Sequence, residues 1–326
     1  MNRLLSLAGA LALSALSAVS AASSAWAADY PSQPIKLIAP YPPGGQTDIV
    51  ARLVAQPLAE ALGSPVVVEN KPGANGLLGH DLVAKAKPDG YTILVGNSAM
   101  LAVAPNLLEK RPFDPTKDFA PIVTVAGGPL ILEVNPKLPV HSLADLIALD
   151  KQKPGTLNLG LGGLGTIHHL LGEQLKLTFR TSWTDVPYKG AGPMLVDLIG
   201  GQVDFAFDNI SSSIGHVRSG QLRAIAVSQK TDLLPGVPAL SETPGLEGLE
   251  ASAWHGILAP AGTPPEIVHR LNREIVTILK RPETLEKLKT LGLDLIANSP
   301  EEFSRFIVSE NARWKKVADA SGAKME

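Results

Sequence analysis

The stretch APYPPGGQTDIVARLVAQPLAEALG, residues 39–63, sets two prolines and two glycines directly against a helical repeat. Ahead of it, IKLIAPY (residues 35–41) is a short apolar run of strand length. Behind it Val50, Leu53, Val54, Leu58, Ala61 and Leu62 recur at i, i+3, i+4 spacing, which puts them on one helix face. Strand, Gly-rich turn and helix in that order are the unit from which parallel sheets are built. PVVVEN and DGYTILVGNS read as the next two strands, with KPGANGLLG and a helix through Val83 and Ala84 between them.

The theme returns further along. After a Pro-rich passage (residues 111–121), PIVTVAGGPLILEV is a long apolar stretch that Gly127, Gly128 and Pro129 are expected to break where a strand passes from one sheet to another. SLADLIALDKQKPG reads as a helix capped by Ser142, and TLNLGLGGLGTIHHLLGEQLKL as a second strand, Gly-rich turn and helix. Alternating strands and helices follow as far as GQLRAIAVS. A loop dense in Pro, Gly and Glu (residues 233–248) then precedes the strand ASAWHGILAPAGTP, and two helices entered through Pro264 and Pro300 close the chain.

Composition narrows the function. Asn2 and Arg3, an apolar run over residues 4–22 and Ala25-Trp26-Ala27 read as a signal peptide covering residues 1–27. No later run reaches the about 18 apolar residues of a membrane span, so a soluble product in the periplasm is expected. The chain has no cysteine, which excludes disulfides, thiolate metal sites and a cysteine nucleophile. Charged residues make up 18% of the chain, with a net charge of -2 and no basic stripe, so nucleic acid is not an expected partner. Aromatic content of 5% argues against sugar stacking. Removing the signal leaves about 300 residues, more than one core usually serves, so two domains are expected.

At the carboxyl end of a parallel strand, Gly44 and Gly45 let a ligand approach the main chain, and the next helix offers unpaired N–H groups and a positive dipole end. An anion, most simply a carboxylate, suits that corner. The Lys of a phosphate loop is missing after Gly45, no G-x-G-x-x-G or G-x-S-x-G occurs, and the histidines lack metal-site spacing, so no catalytic residue, metal or cofactor is expected. His168 and His169 diverge by about 100° on a helix. His169 is the candidate for the ligand side, the alternative being a helix-surface or interdomain role, and His255 beside Trp254 reads as a packed strand residue. Asp48 either balances the helix dipole, repels a second ligand charge or binds a ligand amine.

Seven segments in this order, YPSQPIKLIAPYPPGGQTD, VVVENKPGANG, KPDGYTILVGNS, LNLGLGGLGTIHHL, VPYKGAGPMLVDLIGGQVDFAFDN, GQLRAIAVS and WHGILAPAGTP, resemble the substrate-binding proteins of tripartite tricarboxylate transporters, often called Bug-type proteins. The resemblance implies an α/β, two-domain type II periplasmic-binding-protein fold, each domain a mostly parallel sheet flanked by helices. Residues 28–127 and 253–326 form the first domain and 128–252 the second, with hinge crossovers around Gly127 and Ser252. It implies that Pro42, Pro43, Gly44 and Gly45, flanked by Tyr41 and Gln46, meet one end of a small organic acid. Gly163, Leu164, Gly165 and Thr166 grip the rest, and Asn97, Ser98, Asp208 and Asn209 line the sides. Leu161 and Leu164 stand where that family commonly has polar residues. If they face the cleft, they favour an acid with a less polar body, aromatic or short aliphatic. The implied partner is the permease of such a transporter; the alternative is a sensor kinase to which the receptor presents its ligand.

Overall fold

Residues 30–325 are described by the structure, a computed structural model, and the signal-peptide reading of residues 1–27 lies outside them. The opening unit forms as its pattern requires. β1 (Ile35–Ala39) stops ahead of Pro40, which has no N–H to give the ladder. α1 (Gln46–Leu62) buries Val50, Leu53, Val54, Leu58 and Leu62, and ends at Gly63 in the left-handed conformation. Ala61, expected on that face, is exposed. β2 (Val66–Asn70) and β3 (Thr92–Asn97) flank β1 on either side, both parallel to it, with α2 (Leu77–Ala84) between them in the chain.

β4 (Phe119–Val134) corrects one expectation: its 16 residues run on through Gly127, Gly128 and Pro129 as a single strand. Those three residues stay extended because they pair antiparallel with Trp254, Ala253 and Ser252 of β9 (Ser252–Pro260). What changes there is the partner. From Leu130 onward β4 pairs with β7 (Phe205–Asn209) and β8 (Arg223–Val227).

Between these strands lie α3 (Leu143–Gln152), capped as expected by Ser142, β5 (Asn158–Leu161), α4 (Ile167–Phe179), β6 (Thr184–Pro187) and α5 (Ala191–Gly200). α6 (Ile210–Arg218) follows β7. β5 lies parallel to both β6 and β7. After β9 come α7 (Pro265–Leu279), α8 (Pro282–Thr290), the short β10 (Asp294–Leu295), antiparallel to β4, and α9 (Pro300–Ser321).

The strand order β2-β1-β3-β9-β4-β7-β5-β6 repeats one design in two halves. β1 sits between β2 and β3 as β5 sits between β6 and β7, and a long antiparallel strand, β9 or β4, borders each trio. The sheet is curled and flanked by helices, a mixed α/β architecture. In the β1 half, Val50, Val54 and Leu58 of α1 and Ile267, Leu271, Ile275 and Ile278 of α7 join one core cluster. Burying each such side chain contributes about 1.5–3 kcal/mol, so the apolar stripes hold these helices on the sheet. A second cluster carries Leu130, Leu159, Leu170, Phe205, Trp254 and Phe303, and so joins β4, β5, β7 and β9 to α4 and α9.

Candidate ligand-binding site

Both parallel trios end toward one cavity of about 500 Å³, within the roughly 300–1,000 Å³ usual for small-molecule sites. The segments at or just beyond all six carboxyl ends contribute lining residues. Tyr41, Pro42, Pro43, Gly45, Gln46 and Thr47 follow β1, Asn75 follows β2, and Asn97, Ser98 and Ala99 come from β3. Thr166, Ile167 and His168 follow β5, Lys189 and Gly190 follow β6, and Asn209 ends β7. Ala253, Trp254 and His255 of β9 complete the wall.

Four of these residues are helix N-caps: Gly45 of α1, Thr166 of α4, Gly190 of α5 and Asn209 of α6. At Gly45, Gly190 and Asn209 no side chain caps the helix, so the first-turn N–H groups there lack a capping acceptor. Thr166 accepts from the N–H of His169 and donates its hydroxyl to the Gly163 carbonyl. Lys189 is the one Lys or Arg on the lining, and no Asp or Glu shares it. His255, 4% exposed, shares a 3.1 Å hydrogen bond between its Nε2 and Thr47 Oγ1, and burial holds its pKa down at about 4, so it is neutral at pH 7. Burial also lowers His168 against the pull of Asp208 and Asn209, and pushes the Tyr41 phenol up to about 12. Four buried polar atoms of lining residues have no hydrogen-bond partner: His168 Nε2, Asn209 Oδ1, Trp254 Nε1 and His255 Nδ1. The lining therefore presents positive potential, the chemistry of an anion site.

Of the residues assigned to the ligand from sequence, Tyr41, Pro42, Pro43, Gly45, Gln46, Asn97, Ser98, Thr166 and Asn209 line the cavity; the others do not. The Gly44 N–H donates to Asp48 Oδ2 at 3.0 Å, and Asp48, 3% exposed, also accepts from Arg52 and Asn70. Asp48 thus closes the turn from behind. Leu161 is fully buried in the core and Leu164 packs against that core, so the apolar cleft wall inferred from them does not form. Gly163 and Gly165 shape the turn; Gly165 (φ +72) lies against Met325, where a Cβ would meet Sδ at 2.3 Å. Asp208 accepts from Ser212 and Ser213 inside its own half.

His169 turns inward, where it, Glu173 and Asp185 bring one ligand atom each within 4.8 Å of one another. The ammonium of Lys176 lies 2.8 Å from both Glu173 and Asp185, so the charge a cation would supply is already present. His168, one residue earlier and about 100° around α4, lies on the cavity lining instead.

Sequence reasoning passed over Asn75 and Lys189, chose His169 rather than His168 for the ligand side, and read His255 as a packed strand residue, which it is, at the cavity wall. Asn75 had a signal: it sits between glycines in KPGANG, and it and Ala74 both take positive φ, 55° and 46°. Its Nδ2 reaches the Leu164 carbonyl at 3.4 Å, and Gln46 Nε2 reaches Ser211 Oγ at 3.4 Å, so both bonds join the β1 half to the β5 half. A larger cavity, about 680 Å³, lies between residues 230–238 and 285–295. Its lining mixes Lys230 and Lys289 with Asp232, Glu242 and Asp294, and Lys230 is paired with Glu242 at 3.2 Å.

The family model described as tripartite tricarboxylate transporter family receptor matches residues 50–323. The chain is 39% identical to Protein BugT of Bordetella pertussis, with 100% of this chain and 99% of that protein aligned. Among solved structures it is similar to R. palustris Rpa4515 with adipate, at 36% identity and TM-score 0.79, covering 90% of this chain and 99% of that one. It is also similar to MatC of Rhodopseudomonas palustris with bound malate, at 31% identity and TM-score 0.77, covering 88% and 99%.

Proposed function

Because the chain belongs to the tripartite tricarboxylate transporter family of receptors, we propose that it captures a small organic carboxylate at the strand ends and hands it to a permease of that transporter type. The family is one of solute-binding receptors, not enzymes. One observation carries the ligand class: four helix N-termini, at Gly45, Thr166, Gly190 and Asn209, converge on a cavity lined by a lysine and by no acid. Carboxylate oxygens accept from such N–H groups, and the dipoles favour their charge. The adipate and malate of the two Rhodopseudomonas relatives agree with that chemistry.

Capture works by closure. Residues 28–127 with 253–326 form one lobe and 128–252 the other, and the strands β4 and β9 carry the chain between them near Gly127 and Ser252. Tyr41, Pro43, Gly45, Gln46, Asn97 and Ser98 meet the ligand from one lobe; Thr166, His168, Lys189 and Asn209 meet it from the other. Contacts from both exist together only in the closed form, which the permease then recognises. Export by the signal of residues 1–27 places the receptor in the periplasm.

The test is thermal unfolding of the refolded mature protein against mono-, di- and tricarboxylates. An acid at a hundred times its dissociation constant adds about 2.7 kcal/mol, which raises Tm by several degrees. Gly45 has φ -76° and its added Cβ would meet only the Pro42 carbonyl, at 3.8 Å. Gly45→Val should therefore abolish the shift while leaving the ligand-free Tm in place. No shift with any acid would overturn the proposal.

A further inference from the structure

Lys189 occupies a position that electrostatics disfavours. It directly precedes Gly190, the N-cap of the ten-residue α5, so an ammonium stands at the positive end of a helix dipole. No counter-ion relieves it: Lys189 joins none of the ion pairs among the described residues, and the cavity it lines has no carboxylate. Its backbone is nevertheless firmly placed. The Tyr188 N–H donates to the Leu161 carbonyl at 2.8 Å, and Tyr188 Oη donates to Asp197 at 2.8 Å.

Gly190 itself takes φ +116°, and an added Cβ there would meet nothing within 4 Å. Packing does not demand a glycine, but the backbone turn does, and it leaves the helix end uncovered. The neighbouring corner is close by, since Leu161 is in register with Pro187 and an added Cβ on Gly162 would lie 3.4 Å from the Ala191 nitrogen. Lys189, the α5 end and the α4 end at Thr166 thus form one positive pole in the β5 half, opposite the pole at Gly45 in the β1 half. Independently of any helix end, the almost wholly buried lining side chain of His255 keeps its Nδ1 without a partner. The cavity is built for a polar occupant.

We propose that Lys189 is the charge-selecting residue of the site, pairing with the second carboxylate of a dianionic ligand while the first sits at the Gly45 corner. This rests on the carboxylate-receptor reading above. The pair forms only when an anion arrives, so the unfavourable placement of the ammonium in the empty receptor is relieved in the complex. An ammonium-bearing ligand gains nothing here, since no acid on the lining answers it.

The experiment is calorimetric titration with succinate, malate and adipate, each beside its monomethyl ester, which keeps the skeleton and removes one charge. Wild type should favour its best diacid over the ester by about tenfold or more, the size of one good charge pair. Lys189→Met should bring that ratio below about threefold, chiefly by weakening the diacid, and Lys189→Arg should retain most of it. Circular dichroism and ligand-free Tm confirm that the exposed substitution leaves the fold intact. An unchanged diacid-to-ester ratio in Lys189→Met sinks the assignment of Lys189 alone. Failure of the wild type to bind any acid or ester sinks the carboxylate reading together with it.

Discussion

Asp48 shows how a single carboxylate can look like a ligand residue in sequence and be architecture in the fold. Its oxygens accept from Arg52 Nε at 3.1 Å, Arg52 Nη2 at 3.0 Å, Asn70 Nδ2 at 2.8 Å and the Gly44 N–H at 3.0 Å. The hydrogen bond from Arg52 leads in holding its pKa at about 2, with burial opposing and Gly44 and Asn70 assisting. The contribution of Asp48 to stability is therefore complete above its ordinary value of 3.8 and is lost as pH falls toward about 2. Asp48→Ala should cost about 2–3 kcal/mol in urea unfolding at pH 7, and the deficit should shrink as the titration is repeated toward pH 2. Sequence placed Asp48 in the first helical turn correctly. It could not say that Asn70, 22 residues on, and Arg52 would be waiting behind it. The histidines make the same point: moving from His169 to His168 is one step along the chain and about 100° around the helix, enough to exchange the core for the cavity.

At the scale of elements, β4 carries the architecture. Its glycines and Pro129 were expected to break pairing, yet the strand continues because β9 offers partners up to Pro129 and β7 takes over from Leu130. Within it Glu133 is wholly buried, shares a 2.7 Å hydrogen bond with Ser213 Oγ and leaves its other oxygen without a partner. Burial raises its pKa to about 8, with the charge of Asp208 adding to the effect against the Ser213 bond. A raised carboxyl contributes stability fully below its ordinary value of 4.5, and that contribution is lost as pH rises through about 8. Glu133→Gln removes the titration. The variant should gain on wild type between pH 5 and pH 9, by on the order of 2 kcal/mol, in paired chemical-unfolding curves. A constant difference across that range would refute the assignment of Glu133 as a neutral acid in the fold.

At the scale of the whole molecule, the halves are joined by two strands, by the apolar cluster that packs α9 on α4 and, around the cavity, by the side-chain hydrogen bonds from Asn75 to the Leu164 carbonyl and from Gln46 to Ser211. A receptor that closes on its ligand should then change shape in solution. A compact chain of about 300 residues has a radius of gyration near 19 Å. Small-angle scattering of the ligand-free protein should exceed that value and fall toward it when the best carboxylate of the thermal screen is added. A radius unchanged at saturation would mean that the halves are fixed and that capture needs no closure.

Local pattern determined much of this. The strand, Gly-rich turn and helix of residues 35–63 needed only hydrophobic period and turn chemistry, which neighbouring residues settle among themselves. The helix entries at Ser142, Pro265 and Pro300 were legible for the same reason. The order of motifs placed the chain in its family, and the family implied the α/β fold. Tertiary structure alone decided which side chains meet. Asn75, Lys189 and His255 come from three distant segments and share no sequence spacing, so only the pairing of the strands, which aligns their ends, could bring them to one cavity. Leu161 lost its expected place in the cleft through the register of β5, whose side chains alternate between faces, so that one position decides between core and ligand.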